Sequence, residues 1–408
     1  MQCNYGARAH SGGSKAKRPL GRARGRRFIG AVLAGEFFGQ AGGRLRCVCG
    51  IACRRRIACH RAINNSGKVF NLKPLVSILI SAYNAEEWIA DALQSAVAQT
   101  WPHKEIILVD DGSTDRTAQV ARRFASRGVT VLSTKNGGLS AGQNHAYAHC
   151  HGDYIQFLDA DDLLAPDKIE RQLAALRDTD SRRVLLSSPW APFYYRTRHA
   201  QFVCSSLCQD LSPIEWVLRK MGENLHMQNA TWLVSRELAE AAGPWHADLH
   251  YDQDGEYFAR VILASEGTRF VNGTGIFYRA TGKGSISQIG NSDKKKESLL
   301  LSLKLQIQYL RSVEESERVR RACLTYLQNW YHNVYPERPD LTAEWQALAA
   351  QLQGELEEPR LRWKYEWMKP VFGWRTAKWA QMTLPHVKRS YIRRYDKALY
   401  RLERRGAL

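Results

Sequence analysis

The sequence predicts an α/β protein in which a Rossmann-like, mostly parallel sheet is flanked by helices and followed by a helical C-terminal extension. Three observations predict it. Apolar, β-branched runs of strand length alternate with helix-length segments between residues 75 and 159, the pattern of βαβ units. Two of those runs end in clustered aspartates, at Asp110–Asp111 and at Asp159, Asp161 and Asp162, where open parallel sheets collect ligands. Beyond residue 291 apolar residues recur at helical spacing, with Leu299, Leu303, Ile307 and Leu310 on one face.

The chain of 408 residues is long enough for one large domain with two additions. Residues 1–73 are rich in Gly, Arg and Ala, carry 16 Lys/Arg against Glu36 alone and show no sustained period, a composition that predicts disorder. Cys47, Cys49, Cys53, Cys59 and His60 lie within this segment, without the paired two-residue spacing of most structural zinc sites. Residues 74–290 are expected to form the main α/β domain and 291–408 a helical, basic, Trp-rich region. The last 50 residues hold 14 Lys/Arg against Glu366, Asp396 and Glu403, so a net charge of +19 leaves the middle acidic. That distribution argues against nucleic acid as the partner. No run of about 20 apolar residues is present. The stretch Phe28–Gly39 follows arginines as a signal peptide does but is short and interrupted by Glu36. A cytoplasmic location is expected, and the Asn-x-Ser/Thr matches at Asn64, Asn229 and Asn272 matter only in a secretory compartment.

Taking the elements in order, Val76–Tyr83 is a strand, after which Asn84 caps a helix over residues 85–99. Lys104–Val109 is a second strand, Thr114 or Asp115 caps a helix running to about Arg127, and Val129–Ser133 is a third strand. A loop and helix cover Gly137–His149, and Asp153–Leu158 is a fourth strand. Ala230–Val234 reads as a strand, Ser235–Ala242 as a helix stopped by Gly243 and Pro244, Asp254–Ala264 as a helix, and Arg269–Arg279 as one strand.

The acidic clusters carry the chemistry. Carboxylates beside an anionic nucleotide diphosphate make sense when a divalent cation lies between them. Magnesium or manganese takes one or two protein carboxylates plus phosphate oxygens, which the D-A-D spacing of Asp159 and Asp161 supplies. A solvated turn is the bland alternative for either cluster alone. No G-x-x-x-x-G-K-S/T and no G-x-G-x-x-G after the first strand is present, so the sheet binds its nucleotide by other means.

Five motifs in order, VSILISAYN (Val76–Asn84), ILVDDGSTD (Ile107–Asp115), NGGLSAGQN (Asn136–Asn144), FLDADDLLAP (Phe157–Pro166) and DQDGEYFAR (Asp252–Arg260), resemble the inverting glycosyltransferase family 2, of GT-A fold and bacterial cell-envelope glycan type. The resemblance covers residues 75–290. It implies that Ser81 and Asp111 meet the nucleobase, usually uracil, with Asp110 close by and Tyr83 and Asn136 in the same nucleotide site. It places Asp159 at the ribose and Asp161 on the metal. The third motif departs from the usual N-x-G-x-S-x-A-R-N: Gly142 and Gln143 stand where Ala and Arg are common, which puts donor identity in doubt. Alignment of E-D-x-D-L-x-L-R from Arg260 makes Asp254 the catalytic base, with Asp252 as runner-up and a helix cap as the alternative role.

Arg279, Lys283 and Ser285 suit either a lid over the diphosphate or a plain surface loop. Trp190, Trp232 and Trp245 are candidates for stacking on sugar, with core packing favoured for Trp232 and an acceptor contact most open for Trp245. From Trp363 onward, aromatic residues mixed with cations suit either a peripheral membrane contact or an ordinary helical subdomain. The expected function is transfer of a sugar from a nucleotide-sugar donor, with UDP the expected nucleotide, to a glycan or lipid-linked acceptor. The competing readings are a nucleic-acid-binding protein acting through its basic ends and a catalytically inactive scaffold. The Q-x-x-R-W motif of polymer-forming relatives is absent.

Overall fold

The computed structural model describes residues 61–63, 69–71, 73–179, 181–281, 289–290 and 292–406. The segment expected to be disordered lies almost wholly outside them, as do the Cys47–His60 cluster, Asn64, Lys283 and Ser285.

A short antiparallel hairpin pairs β1 (Arg61–Ile63) with β2 (Val69–Asn71). The main fold begins with β3 (Val76–Ala82), all seven residues of which are buried, as expected of a strand covered on both faces. It is followed by α1 (Ile89–Val97), β4 (Lys104–Asp110), α2 (Thr117–Arg122), β5 (Val129–Ser133), α3 (Leu139–Ala148) and β6 (Tyr154–Asp159). β7 (Leu163–Leu164), α4 (Lys168–Ala174), β8 (Val184–Ser187), β9 (Trp190–Phe193) and α5 (Pro213–Gly222) come next. After them run β10 (Val234–Ser235), α6 (Arg236–Ala242), α7 (Gln253–Ala264), β11 (Gly267–Phe270) and β12 (Ile276–Arg279). The chain continues through α8 (Asp293–Val313), α9 (Glu317–Tyr331), α10 (Pro339–Gln351), α11 (Trp363–Glu366) and α12 (Lys369–Gly406), which turns at Gly373.

The five-stranded sheet has the order β10-β6-β3-β4-β5. β6, β3, β4 and β5 are parallel and β10 is antiparallel to β6. Register decides where chemistry can occur. Ala82 lies opposite Asp110 and Ser81 opposite Asp159, so the acidic ends of β4 and β6 flank Ser81 at one edge. β12 lies between β7 and β9, and β11 pairs parallel with β8.

Several local expectations are corrected. Asn84 does not cap α1: it sits at φ 47 and its Oδ1 accepts the Thr114 N–H at 2.9 Å, tying two loops together, and α1 begins only at Ile89. The second helix stops at Arg122, and a 3-10 turn at Ala125–Arg127 leads to Gly128, whose φ of 85 reverses the chain into β5. Ala230–Val234 is not a continuous strand; Asn229–Thr231 is a 3-10 turn, Leu233 makes an isolated bridge to Leu186, and the strand itself is Val234–Ser235. Buried side chains take its carbonyls instead, Gln156 bonding Ala230 at 2.8 Å and Gln172 bonding Thr231 at 3.0 Å. The expected strand over Arg269–Arg279 is two strands in different sheets, separated around Gly273 at φ 80.

Alternation along β3 sends Ile78 and Ile80 toward a cluster with Ile89 and Leu93 of α1, and Leu79 toward the opposite face. That second cluster gathers Ile107 and Phe157 with Trp232 and Tyr257 and runs on into Leu299, Leu303, Ile307, Leu310, Tyr326 and Trp345 of the later helices. Helices beyond residue 291 thus share a core with the sheet. Among the described residues no helix is long and apolar enough to cross a membrane. Leu303 is completely buried in the shared cluster, so Leu303→Ala is expected to cost about 2–5 kcal/mol, read as a lower urea midpoint; an unchanged midpoint would remove α8 from that core.

Candidate active site

The carboxyl end of β4 presents two buried acids with different tasks. Asp111 accepts the Gly137 N–H at 2.9 Å and the Gly138 N–H at 2.8 Å, pinning the N-G-G segment against the sheet. Asp110 Oδ1 has no hydrogen-bond partner among the described residues. Between the acidic strand ends, Ser81 is buried beneath α3. A Cβ on Gly142 would lie 2.1 Å from Ser81 Oγ, so the approach of helix to strand depends on glycine there. Gln143 is completely buried, and neither atom of its amide is bonded among the described residues. Tyr83 and Asn136 are exposed. The structure therefore brings Ser81, Asp110 and Asp111 together and leaves Tyr83 and Asn136 open to solvent.

At the end of β6, Asp159 accepts the Asn229 amide at 2.9 Å. Asp162, fully buried, accepts the Arg279 backbone N–H at 2.8 Å and the Gln228 amide at 3.1 Å. Arg279 is not part of a lid. It is buried, donates from Nε to the Asp161 carbonyl at 2.7 Å, pairs with Asp91 at 3.1 Å, and lies 4.6 Å over the Trp88 ring and 4.5 Å over Phe193. It clamps the acidic loop from below. Burial, then repulsion from Asp161 and Asp254, pushes the Asp159 carboxyl up to about 7. Burial also raises Asp161, against the pull of Arg279, and raises Asp162 well above the usual carboxylate range.

Three acids cluster at the start of α7, and their partners separate them. Asp252 sits at φ 58, and its Oδ2 accepts the Ser302 hydroxyl at 2.7 Å and the Gln306 amide at 2.8 Å, binding α7 to α8. A Cβ on Gly255 would meet the Asp252 carboxylate and displace it from its present partners. Glu256 is fully buried, pairing with Arg260 at 2.7 Å and accepting the Tyr309 hydroxyl at 2.8 Å. Asp254 is half-buried, and only the backbone N–H groups of Asp254 and Gly255 meet its carboxylate, with no side-chain partner among the described residues. Burial raises its carboxyl above the usual range while the Lys220 ammonium opposes that rise.

Asp159 and Asp161 offer only oxygen atoms, the donor type of magnesium and manganese, and a cation relieves their mutual repulsion. Among the described residues no three His, Cys, Asp or Glu side chains gather as a ready-made cage. A cation held by these two acids would take its remaining oxygens from a ligand's phosphates or from water.

Trp245 is buried rather than open to an acceptor. It stacks on Tyr257 with centroids 4.2 Å apart and is bracketed by Asn144, which bonds its N–H at 2.8 Å and its carbonyl at 2.9 Å. Trp232 is packed in the core, as expected, though it follows a turn rather than lying inside a strand. Trp190 is the half-exposed one of the three, beside His226 and Tyr278. Sequence reasoning missed Gln228 and Asn229, of which only Asn229 stood out, and then as a glycosylation match.

Residues 77–199 match the family model described as Glycosyl transferase family 2. An uncharacterized glycosyltransferase of Rickettsia typhi is 28% identical over 192 residues, which span 47% of this chain and 60% of that protein. TuaG of Bacillus subtilis, named as a putative teichuronic acid biosynthesis glycosyltransferase, is 40% identical over 106 residues, 25% of this chain and 42% of TuaG. The alignments thus span less than two thirds of these relatives. Residues 1–349 of S. aureus TarS superimpose with a TM-score of 0.52 at 15% identity, covering 68% of this chain and 79% of that one. The same protein in complex with UDP gives 0.50 at 15% identity, covering 76% and 91%. At such identity the likeness is one of fold. Parallel strands with registered acidic ends, the ordered motifs and the match over residues 77–199 agree that this chain carries a glycosyltransferase family 2 domain.

Proposed function

We propose that the chain transfers a sugar from a UDP-sugar to a glycan or lipid-linked acceptor of the cell envelope, inverting the anomeric carbon in a single displacement. The observation that carries this reading is Asp254. Alone among the three acids opening α7 it has no side-chain partner among the described residues, and it lies close enough to Asp159 for the two to repel. The relative named for teichuronic acid biosynthesis and the UDP complex of a similarly folded protein support the acceptor and donor classes.

In this reading Ser81 and Asp111 hold the nucleobase beside Asp110, Asp159 holds the ribose, and Tyr83 and Asn136 complete the nucleotide site from the rim. Asp161, with Asp159 beside it, would hold manganese or magnesium, which when bound offsets the diphosphate's charge and favours its departure. Asp254 accepts the proton of the acceptor hydroxyl as that oxygen bonds the anomeric carbon. The bond to the diphosphate breaks on the opposite face, and its electron pair leaves with the phosphate oxygen. No covalent sugar–enzyme intermediate forms.

Calorimetric titration of UDP, GDP and dTDP is expected to show tight binding of UDP in manganese and weak binding in chelator, with the manganese-dependent part lost in Asp161→Asn. Well-folded protein that binds none of the three overturns the reading. Asp254→Asn is expected to lower kcat by roughly 10²–10⁴-fold with UDP affinity unchanged. Asp252→Asn should instead lower the melting temperature, because it weakens the link between α7 and α8. Retained kcat in Asp254→Asn, with a large kcat loss and intact stability in Asp252→Asn, would transfer the base to Asp252.

A further inference from the structure

The second half of α12 is amphipathic the wrong way round for a helix that packs on a protein. Its docked face is ionic. Asp396 accepts the backbone N–H groups of Tyr195 at 2.9 Å and Arg196 at 3.2 Å and pairs with the Arg196 guanidinium at 2.7 Å. Glu403 pairs with Arg196 at 2.9 Å and with Arg198, Lys397 pairs with Glu87 at 2.7 Å, and Tyr400 packs on Tyr195. The outward face is apolar. Leu384, Val387, Tyr391, Tyr395 and Leu402 are spaced by three, four, four and seven residues, which keeps them on one side of a helix of 3.6 residues per turn, opposite the docked residues. All five are exposed, Tyr391 and Tyr395 to 68%.

Charge names the occupant. Both acids in this half of the helix, Asp396 and Glu403, are consumed by docking. Lys388, Arg394 and Arg401 flank the apolar stripe without an ion-pair partner among the described residues. A second copy laid along the stripe would oppose cation to cation, which disfavours helix pairing. Phosphates of nucleic acid would meet the cations but leave Leu384, Val387 and Leu402 against water. An anionic bilayer satisfies both sets, headgroups meeting the cations while the apolar stripe sinks to the acyl boundary. Trp363, which opens α11, and Trp367, which follows it, are exposed to 80% and 61% and are the residue type enriched at that depth.

We propose that the outward face of α12 is a docking surface for an anionic lipid bilayer. The full chain is expected to co-sediment with vesicles of phosphatidylcholine and phosphatidylglycerol at least tenfold more strongly than with phosphatidylcholine alone, since each cation at an anionic surface is worth roughly fivefold. Leu384→Gln/Val387→Gln/Tyr391→Gln and, separately, Lys388→Gln/Arg394→Gln should each weaken this binding about tenfold or more. Both variants should keep wild-type circular dichroism, because the substituted side chains touch solvent. Three results overturn the proposal: folded protein that ignores anionic vesicles; vesicle binding untouched by either set, which would move the contact to the basic residues near the N-terminus; or self-association, or binding of single-stranded RNA, that the substitutions abolish while vesicle binding is unaffected.

Discussion

Carboxylates held at the edge of the sheet, partly out of water, are the constraint around which the rest is arranged. A buried acid must be paired or hydrogen-bonded, and here Asp159, Asp161, Asp162 and Asp254 crowd one region. Arg279, the last residue of β12, is brought beneath them. Its position requires Trp88 at the start of α1, Phe193 at the end of β9 and the Tyr194 carbonyl at 3.3 Å. A guanidinium has five donors and retains its charge when buried, so one side chain can fix the loop's backbone and offset its acids together. Three segments distant in sequence are thereby tied to the geometry of one loop.

A second polar chain runs through the core behind the site. Lys168 is fully buried, which holds its amine well below the usual lysine range, and it donates to the side-chain oxygens of Gln156 at 2.5 Å and Gln172 at 2.7 Å. Those glutamines pass the interaction to the carbonyls of Ala230 and Thr231. The turn so anchored carries Gln228 and Asn229 to Asp162 and Asp159. A buried network of this kind specifies one arrangement of the groups it joins. The position of Asn229 beside the acidic edge thus follows from a lysine about 60 residues earlier.

Strands buried on both faces were legible because they leave continuous apolar runs: β3, β4, β5 and β6 lie within a residue of where the sequence places them. Acidic strand ends were legible as motifs, since register brings them together without further information. What could not be read depends on distant partners. Asp252 and Asp254 look alike at the start of a helix, and what separates them, Ser302 and Gln306, lies about 50 residues downstream. Trp245 looked accessible beside the presumed base because its stacking partner Tyr257 and its bracket Asn144 are tertiary. In the same way, composition showed that the last helix mixes aromatic residues with cations, but not that its acids turn inward.

Gly142 and Gln143, the two departures from the familiar motif, have different physical explanations. Gly142 answers to packing, for any Cβ there meets Ser81 Oγ. Gln143 answers to charge. An arginine at a completely buried position keeps its charge and needs an anion, whereas an amide supplies a donor and an acceptor and needs none. Both atoms of that amide lack partners among the described residues, as do Asp110 Oδ1 and Ser140 Oγ. Each unsatisfied buried group costs about 1–3 kcal/mol. Polar groups left in this state recover that cost only when a ligand or water bonds them, so the proposed nucleotide site adjoins hydrogen-bonding capacity that the described residues do not use. In the proposed function, a neutral amide at residue 143 would offer hydrogen-bond geometry, which discriminates by shape, where an arginine would offer ion pairing, which attracts any phosphate.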